Sequence, residues 1–237
     1  MHFPEKNEHL PSSNKNRPMT QPEFHTSASP EKEATAYLAE TLKHELVGGK
    51  KVLWLLSGGS AVLVAQKTAE ALQGIDMSNL TVTLIDERYG DVGHTDSNWT
   101  KLQNAGFFLP GAMLHPVLTG ESKETTSKQF AVFLENALRE NEYKIGLFGI
   151  GIDGHTAGIL PHSPAVADTR LVVGYTTETH ERITTTPALI RELDEAVVYA
   201  AGDEKKQTLE MLKGDYSIDE QPAQALKQAK KFIIFND

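Results

Sequence analysis

The sequence predicts an α/β fold: a doubly wound, mostly parallel sheet with helices on both faces, a Rossmann-like three-layer sandwich. Three observations lead there. Dense apolar runs, KVLWLL, LTVTLI and KFIIF, read as strands, and Lys51–Leu56, with no polar alternation, as one covered on both faces. Amphipathic helical stretches alternate with these runs, and a glycine-rich or charged segment follows one strand after another. With 237 residues, 39% hydrophobic and 23% charged, the chain suits one domain with one buried core.

Residues 1–28 are polar and proline-spotted without helical or strand periodicity, which predicts a disordered arm before a single domain over residues 29–237, with Met19 an alternative start. Next, Ser29 is placed to cap a helix, Pro30 to open it, and Leu38, Leu42 and Leu46 to form its apolar stripe. A GGK turn leads into a strand over Lys51–Leu56, followed by a helix in SAVLVAQKTAEALQG that Gly74 closes. The pattern continues with a strand over Leu80–Ile85, helices near Asn98–Ala105 and Glu124–Glu140, and a strand over Lys144–Phe148. A strand over Ala196–Ala200, a helix over Glu204–Lys213 and a strand over Lys231–Phe235 complete it.

Composition excludes several classes of partner. The formal charge is −9 and no cluster of Lys and Arg could neutralise a row of phosphates, so no nucleic-acid partner is expected. The absence of cysteine rules out disulfides and thiolate metal sites and fits a reducing compartment. Neither a signal peptide nor a membrane-length apolar run occurs, so the expectation is a cytoplasmic protein with no membrane partner.

In a parallel sheet the segments just past the strand ends share one edge, where ligands bind. Ser57-Gly58-Gly59-Ser60 follows the first strand and reads equally as an oxyanion cradle or as a tight turn with Ser60 as helix cap. It lacks the Gly-Lys-Ser/Thr of a Walker loop and the third glycine of a dinucleotide fingerprint, so no nucleotide cofactor is implied. Asp86 and Arg88 follow the second strand, and that edge favours a ligand role over the solvated surface or internal salt bridge a charged triplet usually forms: Arg88 for an anionic oxygen, Asp86 to accept from a hydroxyl or orient a cation. After the third comes GIGIDGHTAGILP, in which Asp153 could hold the His155 imidazole in the tautomer a general base needs. A metal set of Asp153, His155 and His162 is disfavoured, since no helical histidine spacing is visible. Arg182 and Lys205, each by itself an ordinary surface cation, would together suit a phosphate monoester.

In this order LLSGGS, DER with HTDSN, GIGIDGHTAGILP, RIT before a proline-started helix, and GDEK resemble the 6-phosphogluconolactonase family, across about residues 33 to 237. The resemblance implies hydrolysis of 6-phospho-D-glucono-1,5-lactone to 6-phosphogluconate in the pentose phosphate pathway, without metal or organic cofactor. It makes His155 the base that activates water and Asp153 its neighbour, Arg88 a substrate contact, and Arg182 with Lys205 the phosphate ligands, helped by Ser57–Ser60. Departures are the missing Thr-Pro after the SGGS glycines and the missing Val-Pro after Arg88, which bear on loop shape. Two rivals remain. A glucosamine-6-phosphate deaminase/isomerase would carry an acid soon after the histidine, where this chain reads TAGILP. A non-catalytic sugar-phosphate sensor would need an output module, for which residues 1–28 are too short.

Overall fold

The computed structural model describes residues 18–237. Its main sheet has seven strands in the order β1-β10-β9-β6-β2-β3-β5, all parallel: β1 Glu23–Thr26, β2 Val52–Leu56, β3 Leu80–Leu84, β5 Met113–His115, β6 Tyr143–Phe148, β9 Glu195–Tyr199 and β10 Lys231–Asn236. Helices α1 (Pro30–Val47), α2 (Ala61–Ala71), α3 (Asn98–Asn104), α4 (Lys123–Glu140) and α7 (Lys206–Met211) supply the outer layers, as the alternating pattern predicts. All five residues of β2 are fully buried, which is why that run shows no polar alternation. Burial of each large apolar side chain there contributes about 1.5–3 kcal/mol.

β1 departs from expectation. Residues 23–26 belong to the sheet, not to an arm: Glu23 to Thr26 pair in parallel register with Ile233 to Asn236 at the end of β10. Phe24 alone of the four is a large apolar residue, so the strand is made by its neighbour's open edge and not by local pattern. Of the expected arm, residues 1–17 lie outside the described residues. Ser29 stands at the start of α1 but makes no capping bond; Pro30 opens the helix.

A second sheet was not expected. β4 (Asp86–Arg88), β8 (Glu181–Thr185) and β7 (Val172–Thr176) form an antiparallel ribbon of three strands in the order β4-β8-β7. β4 directly continues the chain of β3 past Ile85, so the charged triplet is itself a strand leaving the main sheet. Two short helices, α5 (Pro164–Ala167) and α6 (Pro187–Ile190), flank it, the latter proline-opened as the RIT motif suggests. The expected helix over 204–213 is shorter: a 3-10 turn at Asp203–Lys205 precedes α7.

The topology positions the site. From β2 the chain builds toward β3 and β5 on one side and, from β6 onward, toward β9 and β10 on the other, so the switch lies between β2 and β6. Ser57–Ser60 and the histidine loop leave the strands on either side of that crevice. Among the described residues no helix is long and apolar enough to cross a membrane.

Candidate active site

At the carboxyl ends of β9, β6, β2 and β3 lies a cavity of about 290 Å³, near the lower bound for small-molecule sites. Ser57, Gly58, Gly59, Ser60, Asp86, Arg88, His155, Arg182 and Lys205 all line it. The sequence-predicted residues therefore converge, with one exception. Asp153 does not line the wall; it acts on His155 from behind.

His155 and Asp153 form a local unit. The His155 Nδ1 lies 2.5 Å from Asp153 Oδ1, and the same oxygen accepts the His155 backbone N–H at 3.2 Å. A carboxylate at Nδ1 keeps the proton on that nitrogen and leaves Nε2 as the basic one. Partial burial by itself would raise the Asp153 carboxyl, but the attraction of His155 and its two hydrogen bonds outweigh that and hold it below its usual range. The loop is braced from within: Thr156 Oγ1 donates to the Gly149 carbonyl at 2.9 Å, and Gly151 N–H to the His155 carbonyl at 2.9 Å. Gly151 is required by close approach, since a Cβ there would sit 2.2 Å from the imidazole. The small sheet holds the far end, where Gly158 N–H donates to Thr184 Oγ1 at 3.0 Å.

Charge on the opposite wall is left open. Arg88 and Arg182 face each other across the β4–β8 ladder, a like-charge pairing that is unfavourable by itself. Their Nε atoms are buried without hydrogen-bond partners, as is the Ser57 hydroxyl. Asp86 is 5% exposed; burial raises its carboxyl, against the pull of Arg182, Arg88 and His155. Burial also lowers the Lys205 ammonium below an ordinary lysine, with Glu204 and Asp237 pulling the other way. Ser60 makes no side-chain cap on α2, so of its two readings the turn loses its capping bond and the hydroxyl stays available at the cavity.

Two residues went unrecognised as site-builders in the sequence. Asn98, the last residue of HTDSN, lines the cavity and is 3% exposed; its Nδ2 donates to the Asp86 carbonyl at 3.0 Å. It packs so tightly on Gly58 that a Cβ there would lie 2.1 Å from Asn98 Oδ1. Glu87 is fully buried and accepts from Arg88 N–H, Ser97 Oγ, Asn98 N–H and Trp99 N–H at 2.6–3.1 Å. Burial pushes its carboxyl up while those four bonds oppose the shift. Glu87 thereby pins the start of α3 to β4 and fixes Asp86 and Arg88 on either side of it.

The metal set weighed from sequence is not assembled. His162 Nδ1 pairs with Asp219 Oδ2 at 2.7 Å, and among the described residues no three metal-ligating side chains stand together.

Residues 25–234 match the family described as glucosamine-6-phosphate isomerases/6-phosphogluconolactonase. A 6-phosphogluconolactonase of Synechocystis sp. is 32% identical over 165 residues, covering 65% of this chain and 68% of that protein. One from Pseudomonas putida is 28% identical over 204 residues, covering 79% and 81%. The crystal structure of a 6-phosphogluconolactonase from Shewanella baltica superposes with a TM-score of 0.79 at 20% identity, covering 92% of this chain and 97% of that one, and shares its fold.

Proposed function

Since the chain belongs to the glucosamine-6-phosphate isomerase/6-phosphogluconolactonase family, we propose that it hydrolyses 6-phospho-D-glucono-1,5-lactone to 6-phospho-D-gluconate, a step of the pentose phosphate pathway, with His155 as general base. One observation carries this reading: an aspartate-oriented histidine shares a small cleft with two arginines and a lysine that form no ion pair with a carboxylate of the described residues.

The reaction needs a base for water, a counter-charge for the oxyanion and a grip on the phosphate. His155 Nε2 takes a proton from water as its oxygen attacks the lactone carbonyl; the carbonyl π electrons move to oxygen. Cationic side chains and the N–H groups at the start of α2 stabilise that oxyanion. Collapse breaks the bond to the ring oxygen, which receives the proton held by His155. Asp153 stays ionised throughout and holds the imidazolium in place. Lys205 and Arg182 grip the phosphate at the far end, and fixing the substrate there removes the entropy cost of finding the attack geometry. Arg88, Asp86 and the Ser57–Ser60 loop contact the ring.

Following proton release from the lactone at controlled pH, with ammonia release from glucosamine 6-phosphate as the control, tests the reading. Lactone loss well above the spontaneous rate and no ammonia are expected. Ammonia release, or binding of 6-phosphogluconate without lactone turnover, would overturn it.

A further inference from the structure

Between the histidine loop and Lys205 lies a buried polar cluster that takes no part in the chemistry described above. Thr208 stands one turn past Lys205 and is 3% exposed. A threonine inside a helix ordinarily returns its hydroxyl to the carbonyl four residues earlier. Here the hydroxyl turns outward and donates to the Ile152 carbonyl at 2.8 Å, next to Asp153. Gln221 Nε2 donates to the Thr208 carbonyl at 2.8 Å, and Gln224 Nε2 to Gln221 Oε1 at 2.8 Å. Gln221 is 1% exposed and packs where a side chain on Gly154 would stand, and Ala223 N–H donates to the Gly154 carbonyl at 2.9 Å. The loop that carries His155 and the helix that follows Lys205 are thus fastened to one another and to the same satisfied, buried network, an arrangement that rigidifies.

We infer that Thr208 is a positioning residue: its hydroxyl fixes the span between His155 and Lys205, and so converts phosphate binding at one end into correct placement of the carbonyl at the other. Binding energy gained remotely accelerates chemistry when the connection between the two ends is stiff, and misplacement by about 1 Å costs up to ~10²-fold. The consequence is selectivity for phosphorylated over unphosphorylated lactones. The inference rests on the lactonase reading of the cleft.

Thr208→Val removes the hydroxyl at nearly constant volume, Thr208→Ser restores it, and Thr208→Ala replaces the valine variant should that fail to fold. With 6-phosphoglucono-1,5-lactone, kcat should fall about tenfold in Thr208→Val while KM stays within about twofold; with glucono-1,5-lactone kcat should not change; the serine variant should recover wild-type values. Equal losses on both substrates, or none, would overturn the inference. A second readout needs no turnover: inorganic phosphate should slow amide exchange over residues 149–158 in wild type and Thr208→Ser but not in Thr208→Val. Equal protection in all three overturns the strut, whereas coupled protection in a protein that leaves the lactone untouched faults the lactonase reading alone.

Discussion

The two ends of the same parallel strands treat charge in opposite ways. At the amino ends of β6, β9 and β10 the charged groups find each other. Glu195 accepts from the Tyr37 hydroxyl at 2.7 Å, and that hydroxyl accepts from Lys231 at 2.6 Å. Asp194 binds Lys230 Nζ at 2.5 Å and Lys144 N–H at 2.8 Å, and Glu45 pairs with Lys50 at 2.6 Å. At the carboxyl ends, two arginines, a lysine and a serine hydroxyl converge without carboxylate partners among the described residues. A buried polar group left unpaired costs about 1–3 kcal/mol. At this rim the Arg88 and Arg182 Nε atoms and the Ser57 hydroxyl carry that cost. Size does not separate the rims: the amino-end groove, about 770 Å³, is the larger, yet its Glu195 and Lys231 already meet through the Tyr37 hydroxyl.

The contrast breaks if substitutions at the two rims have the same consequences. The largest effect is expected at His155, where His155→Asn should lower kcat by about 10²–10⁴-fold while the urea midpoint shifts by less than ~0.5 kcal/mol equivalent. Next is Lys205→Met, which removes charge-assisted bonds of about 1.5–3 kcal/mol and should weaken 6-phosphogluconate binding by about 10–100-fold in calorimetry. Because burial lowers the Lys205 ammonium, wild-type affinity should begin to fall on the alkaline side before an ordinary lysine would titrate, and the variant should lack that fall. At the other rim, Glu195→Ala should cost about 1–3 kcal/mol of unfolding free energy, by stranding Tyr37 and Lys231, and leave kcat unchanged.

The smallest effect concerns Asp153. Its folded-state carboxyl lies below the ordinary range, so its contribution to stability is complete above that range and vanishes as pH falls through the lower folded value. Denaturant curves of wild type and Asp153→Asn should differ near neutrality and converge in strong acid. A difference that grows toward acid would have the wrong sign.

The main sheet was legible because its strands are largely buried: β2, β9 and β10 contain unbroken apolar runs, and β3 and β6 are apolar runs interrupted by threonine and by lysine. Parallel logic then brought the site loops together. What escaped the sequence was made by neighbours. β1 offers one large apolar residue and exists through its register with β10. β4 hides because DER follows an apolar run so closely that it reads as the loop after β3, although pairing with β8 makes it a strand. Asn98 and Glu87 escaped for a related reason: a polar residue at a helix start suggests a cap and an acid in a charged triplet a solvated face, and their contacts with Gly58 and with the α3 backbone arise from the path β4 takes.

The central claim is that the unpaired charges of the carboxyl rim await a phosphorylated ligand, and thermal unfolding with and without 6-phosphogluconate tests it most directly. At a ligand concentration of about one hundred times Kd, wild type should gain ~2.7 kcal/mol, and Lys205→Met at the same concentration should lose about half of that gain or more. No stabilisation of wild type, or equal stabilisation of the variant, would contradict the account.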